Sequence, residues 1–221
     1  MKAYRVKITS PTASFRHPTI LTGFQPTLSV PPISTIYGLL SAVTGKYRTP
    51  EMQKVGYIFH GKDRFIDLET TYKSDGKLSR KKTMTVTPDI VKREIFFEPE
   101  LYLYLNEEEL AKMFKTPYFP ILLGRSSDLA FAEIKKVTLE KKDDCVLYGT
   151  TIPYKKVNKL ITGQLQALPK YFTDTQPRIP QEVQPFFLIS KPVKIEGSYY
   201  CDPELASILN IDKNIGIYFH E

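Results

Sequence analysis

Near the start of the chain apolar Tyr4, Val6 and Ile8 alternate with cationic Arg5 and Lys7, as a strand with one buried face requires. A strand is predicted from Lys2 to Ser10. Prolines punctuate the stretch from Pro11 to Pro32. Beyond it Ile36, Leu39, Leu40 and Val43 recur at helical spacing, with Ser34 suited to cap the helix start and Gly45 to the left-handed position after its end. The runs Val55 to His60 and Arg64 to Thr71 flank Gly61-Lys62-Asp63 and read as a hairpin. From Glu94 to Leu105 alternation returns, with Leu101, Leu103 and Leu105 on one side and Tyr102 and Tyr104 on the other.

Asn106 with Glu109 three positions on gives a capping-box pattern for a short helix burying Leu110, Met113 and Phe114, which Pro117 stops. The apolar run Ile121-Leu122-Leu123 leads through Gly124-Arg125-Ser126-Ser127-Asp128 to a strand predicted from Ala132 to Leu139. Strand, helix, two strands, helix, strand is the order of a ferredoxin-like (RRM-like) unit of the α+β class. Residues 1–140 are read as this domain. Residues 141–221 are read as a β-rich C-terminal extension packed on the same body, with β-rich pieces at Cys145 to Tyr148, Phe186 to Ile189, Val193 to Tyr200 and Ile215 to Phe219. A short helix from Pro203 to Leu209, capped by Asp202, interrupts them, and the polar, proline-bearing stretch from Pro169 to Pro180 reads as a surface loop.

Composition narrows the class of protein. Hydrophobic residues at 42% and charged residues at 25% of 221 are near globular averages. No run of about 18 apolar residues is present to span a bilayer, and Met1 to Val6 lacks the apolar stretch of a secretion signal, so a cytoplasmic protein without membrane partners is expected. Cys145 and Cys201 are too few for a disulfide framework or a structural zinc site and are expected as buried thiols. The net charge of +7 favours a polyanionic partner. Most of it is local: between Lys73 and Arg93 seven basic residues stand against Asp75 and Asp89. This basic excursion, read as a thumb over about 72–95 between two paired strands, can track an RNA backbone with Lys77, Arg80, Lys81 and Lys82, or can be a solvated hairpin that keeps the chain soluble.

Two further segments can carry chemistry. The loop Phe24 to Pro32 delivers Ser34 and Thr35 to a helix start, where free backbone N–H groups suit a phosphate; Ser34 can equally serve as a simple cap. Arg125 and Ser126 beside Gly124 can bind phosphate, or form an ordinary turn.

Ser14-Phe15-Arg16, Gln25-Pro26-Thr27-Leu28 and Pro31-Pro32-Ile33-Ser34-Thr35-Ile36-Tyr37-Gly38-Leu39-Leu40 together resemble the N-terminal signature of CRISPR-associated protein five, and Leu123 to Asp128 resembles a later motif of that family. The likeness covers roughly residues 1 to 140. It implies a non-catalytic, repeat-associated RNA-binding fold that clasps the 5′ handle of crRNA in a Cascade-type complex, beside the backbone subunit (protein seven) and the large subunit (protein eight). It further implies that the thumb displaces a nucleotide near the first guide base, close to where target DNA begins to pair. A type I-B-like subtype is the expectation. By the same resemblance Arg16, His17, Gln25, Ser34, Thr35 and Tyr37 would line the handle site, and the thumb cations would meet its junction with the guide.

The rival reading is a metal-independent ribonuclease, since one branch of the family cleaves precursor RNA with tyrosine, lysine and histidine. His17, beside Arg16, is its candidate base; the other histidines are His60 and His220, and the lysine-histidine pair associated with the cleaving branch is absent. No cofactor is expected, because the sequence holds no His-Glu-x-x-His, P-loop or Gly-x-Ser-x-Gly pattern. A general single-strand RNA binder of the common RNA-recognition type would carry an aromatic core motif that is missing here.

Overall fold

The computed structural model describes residues 1–20, 23–74, 86–154 and 162–221. In chain order, β1 (Lys2–Thr9), β2 (Thr12–Ala13) and β3 (Phe24–Gln25) precede α1 (Ile33–Thr44). Then come β4 (Val55–His60), β5 (Asp63–Ser74), β6 (Val86–Phe97), β7 (Glu100–Leu105), α2 (Glu108–Met113) and β8 (Phe131–Thr138). The C-terminal part comprises β9 (Glu140–Lys142), β10 (Val146–Leu147), β11 (Thr150–Pro153), β12 (Gln164–Leu168), β13 (Tyr171–Phe172), β14 (Pro180–Gln181), β15 (Gln184–Ile189), β16 (Val193–Lys194), β17 (Tyr199–Cys201), α3 (Leu205–Ile208), β18 (Ile215–Ile217) and β19 (Phe219–His220).

The central sheet runs β4-β7-β1-β8 with antiparallel pairing throughout, and β19 extends its β4 edge. With α1 after β1 and α2 after β7, this is the ferredoxin-like arrangement expected from the sequence. Both faces of the sheet are covered. On one, Val6, Ile8, Leu101, Leu103 and Leu105 pack with Ile33, Ile36 and Leu40 of α1 and Leu110 of α2. On the other, Ile58, Tyr102 and Tyr104 pack with Leu205, Ile215 and Ile217, which belong to α3 and to a second sheet ordered β16-β10-β18-β17-β9. Hence β4 and β7 are buried at nearly every position, and the tyrosines opposite the leucines in β7 belong to a second core. Both cysteines are buried free thiols, and among the described residues no helix is long and apolar enough to cross a membrane.

Several local expectations are corrected. The run after Gly61 does not pair with β4; β5 leaves the sheet and pairs along its whole length with β6, from Asp63 opposite Phe97 to Ser74 opposite Val86. The arm therefore starts at Asp63, with 75–85 outside the described residues. The misreading has a physical origin: Ile66, Leu68, Tyr72 and Ile90 have the β-propensity of a half-buried strand, yet are 61 to 73% exposed along one face of the arm. The run Glu94 to Leu105 is two strands, broken at Glu98, whose φ is 45°. Helix α1 begins at Ile33, and the residue before it is extended Pro32 (φ −64°, ψ 150°), with no side-chain cap. Ser34 thus lies inside the first turn and caps nothing. The Asn106 capping box does not form either, because α2 starts after Glu107 and Glu108 and Glu109 complement its dipole instead. Gly45 does close α1 in the left-handed conformation, with φ 65°. Asp202 holds the approach to α3, accepting the Glu204 N–H at 3.1 Å.

Candidate nucleic-acid interface

The arm base is stitched into the proline-marked loop. Thr12 and Ala13 of β2 pair with Phe97 and Phe96, and Phe24 and Gln25 of β3 pair with Lys92 and Arg93. Ser14 Oγ donates to Glu94 O at 2.9 Å, Glu94 Oε2 accepts the Thr27 N–H at 3.0 Å, and Gly23 O accepts the Lys92 N–H at 3.0 Å. Thr27 Oγ1 accepts the Phe15 N–H at 2.8 Å, and Leu28 N–H donates to Phe15 O at 2.8 Å. Two short strands and the root of the arm therefore form one rigid unit, and Arg16 emerges from it opposite Thr27.

Beside this unit lies a groove of about 690 Å³ lined by Arg16, Ser34, Thr35, Arg93, Gly124 and Arg125, with Leu168 and Phe172 closing its far wall. Arg16 is exposed and makes no ion pair among the described residues. Ser34 and Thr35 bring the first turn of α1 to the groove, a turn without an acidic residue or a capping side chain. The positive dipole end of α1 thus borders an arginine-rimmed space, with the Thr35 N–H already donated to Pro32 O at 2.9 Å.

The turn at 124–128 is built around Asp128, which is fully buried. It accepts from Arg125 Nη2 at 2.7 Å, the Arg125 N–H at 3.0 Å and Thr12 Oγ1 at 2.7 Å. Burial raises the Asp128 pKa, but these hydrogen bonds and the Arg125 charge outweigh it and hold the group below its ordinary value. The Arg125 guanidinium is therefore a clamp between β2 and the turn that also borders the groove. Gly124 adopts φ 112°, and a Cβ there would lie 2.2 Å from Ser14 O, so only glycine lets the turn close against β2.

The remaining candidates are dispersed. Ser126 is exposed beside the clamp. His17 is half-buried next to Arg16, its Nδ1 3.0 Å from Thr19 Oγ1 and its Nε2 3.5 Å from Gln164 Nε2. Gln25 and Tyr37 do not reach the groove surface. Gln25 is 8% exposed in β3, and Tyr37, on the inner face of α1, is 1% exposed with its hydroxyl donating to Gln53 O at 2.9 Å. Lys77, Arg80, Lys81 and Lys82 lie outside the described residues. The other histidines are engaged elsewhere: His60 Nδ1 lies 2.7 Å from the Tyr148 hydroxyl, and His220 is buried, where desolvation pushes its pKa down to about 3.

Further residues complete the groove. Arg93, counted in the sequence only as one of the seven basic residues of the thumb, is ion-paired with Glu69 and lines it from the arm base. Leu168, Pro169 and Phe172 arrive from the C-terminal part; nothing local in the sequence links them to Ser34, more than 130 positions away.

The fold resembles chains of solved assemblies. A chain of a CRISPR RNA-guided surveillance complex superposes with a TM-score of 0.52 at 13% identity, covering 88% of this chain and 91% of that one. A chain of the Type III-B Cmr-beta complex bound to cognate target RNA and AMPPnP gives 0.57 at 12% identity, with 86% of each chain covered. Another, from Cmr-beta bound to cognate target RNA, gives 0.56 at 13% identity over 93% of this chain and 88% of that one. No curated protein matches the sequence. The family model described as CRISPR-associated protein (Cas_Cas5) matches residues 3–157, a span that takes in the ferredoxin-like sheet, the arm and the Gly124 turn. By that match the chain belongs to the CRISPR-associated protein (Cas_Cas5) family.

Proposed function

We propose that this chain is a non-catalytic, guide-RNA-binding subunit of a Cascade-type effector complex, holding the 5′ handle of the crRNA. The observation that carries this reading is the convergence of Arg16, the uncapped start of α1, the arm base at Arg93 and the Gly124 turn on one groove. Unpaired cation, helix N-terminus and half-buried hydroxyls suit a sugar-phosphate chain better than a compact substrate. The arm springs from the same unit, and Lys77, Arg80, Lys81 and Lys82, which fall in the sequence between its two strands, are assigned on this reading to the same RNA. Its exposed apolar face, with Ile66, Leu68, Tyr72 and Ile90, can wedge against a base or meet a sibling subunit, taken to be the backbone protein seven or the large protein eight. Target DNA would begin pairing just beyond. A type I-B-like complex fits this reading.

The absence of catalysis is supported by the histidines. His60 and His220 are engaged or buried away from the groove, and His17 stands beside it with Thr19 and Gln164, and no carboxylate, at its ring nitrogens among the described residues. The deciding experiment incubates the purified protein with precursor repeat RNA and with processed guide RNA in EDTA. Binding of the guide without a defined cleavage product, together with co-purification of sibling subunits, is expected. A defined product would instead assign the ribonuclease role.

A further inference from the structure

The groove does not end at α1. Ser34 and Phe172, which line it, also line a second cleft of about 530 Å³ that follows α1 to its C-terminal end. Lys46, Arg48 and Arg178 stand around this cleft with one carboxylate, Asp174. None of the three cations makes an ion pair among the described residues. Arg48 is half-buried, its N–H donating to Ser41 Oγ at 3.0 Å and its Nε buried without a hydrogen-bond partner. One donor of a cation is thus already withdrawn from water, which is costly unless an acceptor arrives.

Aromatic rings interleave with these charges. Phe119 is 55% exposed and packs edge-on against Tyr118 at 4.8 Å. The N–H groups of Tyr118 and Phe119 donate at 3.0 Å to Val43 O and Ala42 O, closing the carbonyl end of α1. Across the cleft, Tyr47 donates its hydroxyl to Phe172 O at 2.6 Å, tying the loop after α1 to β13. Fixed rings with exposed faces beside unpaired cations are the combination that binds single-stranded nucleic acid through stacking and backbone contacts. A compact anion would use the charges and leave Phe119 without a role.

We infer that the second cleft continues the path of the RNA, with Lys46, Arg48 and Arg178 on successive phosphates and Phe119 under a base. This rests on the RNA-binding reading of the groove and extends the strand it holds past Ser34 along α1. The chemistry required of the ligand is that of an unpaired ribonucleotide chain, without a demand for particular bases.

The test measures binding of fluorescent uridine homopolymers of about 5 and about 15 nucleotides, lengths near the two ends of the range of single-strand site sizes. The full chain is compared with Lys46→Gln/Arg178→Gln, Phe119→Ala and Arg16→Gln. Lys46, Arg178 and Phe119 are all exposed, so their replacement leaves the core intact. For the long oligomer, the double variant is expected to lose about tenfold in affinity and to flatten the log-log salt slope by about 1.4, at about 0.7 per phosphate contact on single strands. The short oligomer, held by the groove alone, should be affected by Arg16→Gln only. A 4-thiouridine oligomer should cross-link to the peptide containing Phe119. Unchanged affinity of the long oligomer for the double variant, with Arg16→Gln still weakening both, overturns the inference and leaves the groove standing. Retained RNA affinity with lost co-purification of a sibling subunit overturns it in favour of a protein partner. If the unaltered protein binds neither oligomer, the RNA-binding reading itself fails, and the extended path with it.

Discussion

Asp202, beside the last helix, accepts a hydrogen bond from Arg5 Nη1 of the first strand at 2.7 Å, with side chains 1% and 8% exposed. Tyr104 donates to the same carboxylate oxygen at 3.1 Å, and Arg5 Nη2 reaches Glu204 at 3.0 Å. The cluster lies on the face of the central sheet covered by the C-terminal strands, so it pins the two halves of the chain together. Removing one member strands the rest. Asp202→Ala is expected to cost about 3 kcal/mol, because a buried guanidinium loses its buried partner and keeps only the half-exposed Glu204. Replacing Arg5 and Asp202 together by apolar residues should recover most of that loss. Denaturant titration of the three variants decides; an additive double variant would mean that the pair is not coupled.

Arg16→Gln should leave thermal stability within about 0.5 kcal/mol of the unaltered chain, since the side chain is exposed. Its affinity for guide RNA should nevertheless fall about tenfold, with a shallower salt dependence. Parallel melting and filter-binding curves separate the two effects. Equal affinity would remove Arg16 from the interface.

Gly124→Ala tests the closure of the turn. With φ at 112° and Ser14 O 2.2 Å from the position of a Cβ, the substitution should cost at least about 2 kcal/mol, and it should also weaken RNA binding by displacing β2 and Arg125. A variant as stable as the parent would show that the turn has another low-energy form.

Asp128 gives a pH signature. Its pKa is held below the ordinary carboxylate value, so its contribution to stability is fully present above the unfolded value of about 3.9 and disappears as pH falls through the lower folded value. Melting temperatures taken between about pH 5 and about pH 2 should therefore fall less steeply for Asp128→Asn than for the parent, from a lower plateau. Parallel curves would mean that the clamp contributes nothing that depends on charge.

How much of this was legible beforehand varies with the range of the interaction. Strand β1 and helix α1 declared themselves because each has one apolar face at its own period, and the topology followed from element order. The arm was recognised by its charge but misplaced at its start, since exposed Ile66, Leu68 and Tyr72 carry the same local signal as residues facing a core. The second sheet was only glimpsed, because strands of two or three residues leave no periodicity to read. At the groove, Arg16, Ser34, Thr35 and Arg125 were named from a signature. Tyr37 and Gln25 carry the same signature but face inward, a difference set by packing partners and not by the motif. Phe172 could not have been found, because only the folded chain sets it beside Ser34.

The double covering of the central sheet settles where flexibility in evolution can lie. In a ferredoxin-like protein whose broad face stays open, the same residues must both hold the sheet together and read the bound bases. Here that face is spent on Tyr102, Tyr104 and their partners, so on the RNA-binding reading proposed above contact with a strand falls to rim segments anchored at a few points. Such rims can change their residues to suit a different repeat sequence while the scaffold beneath keeps its packing.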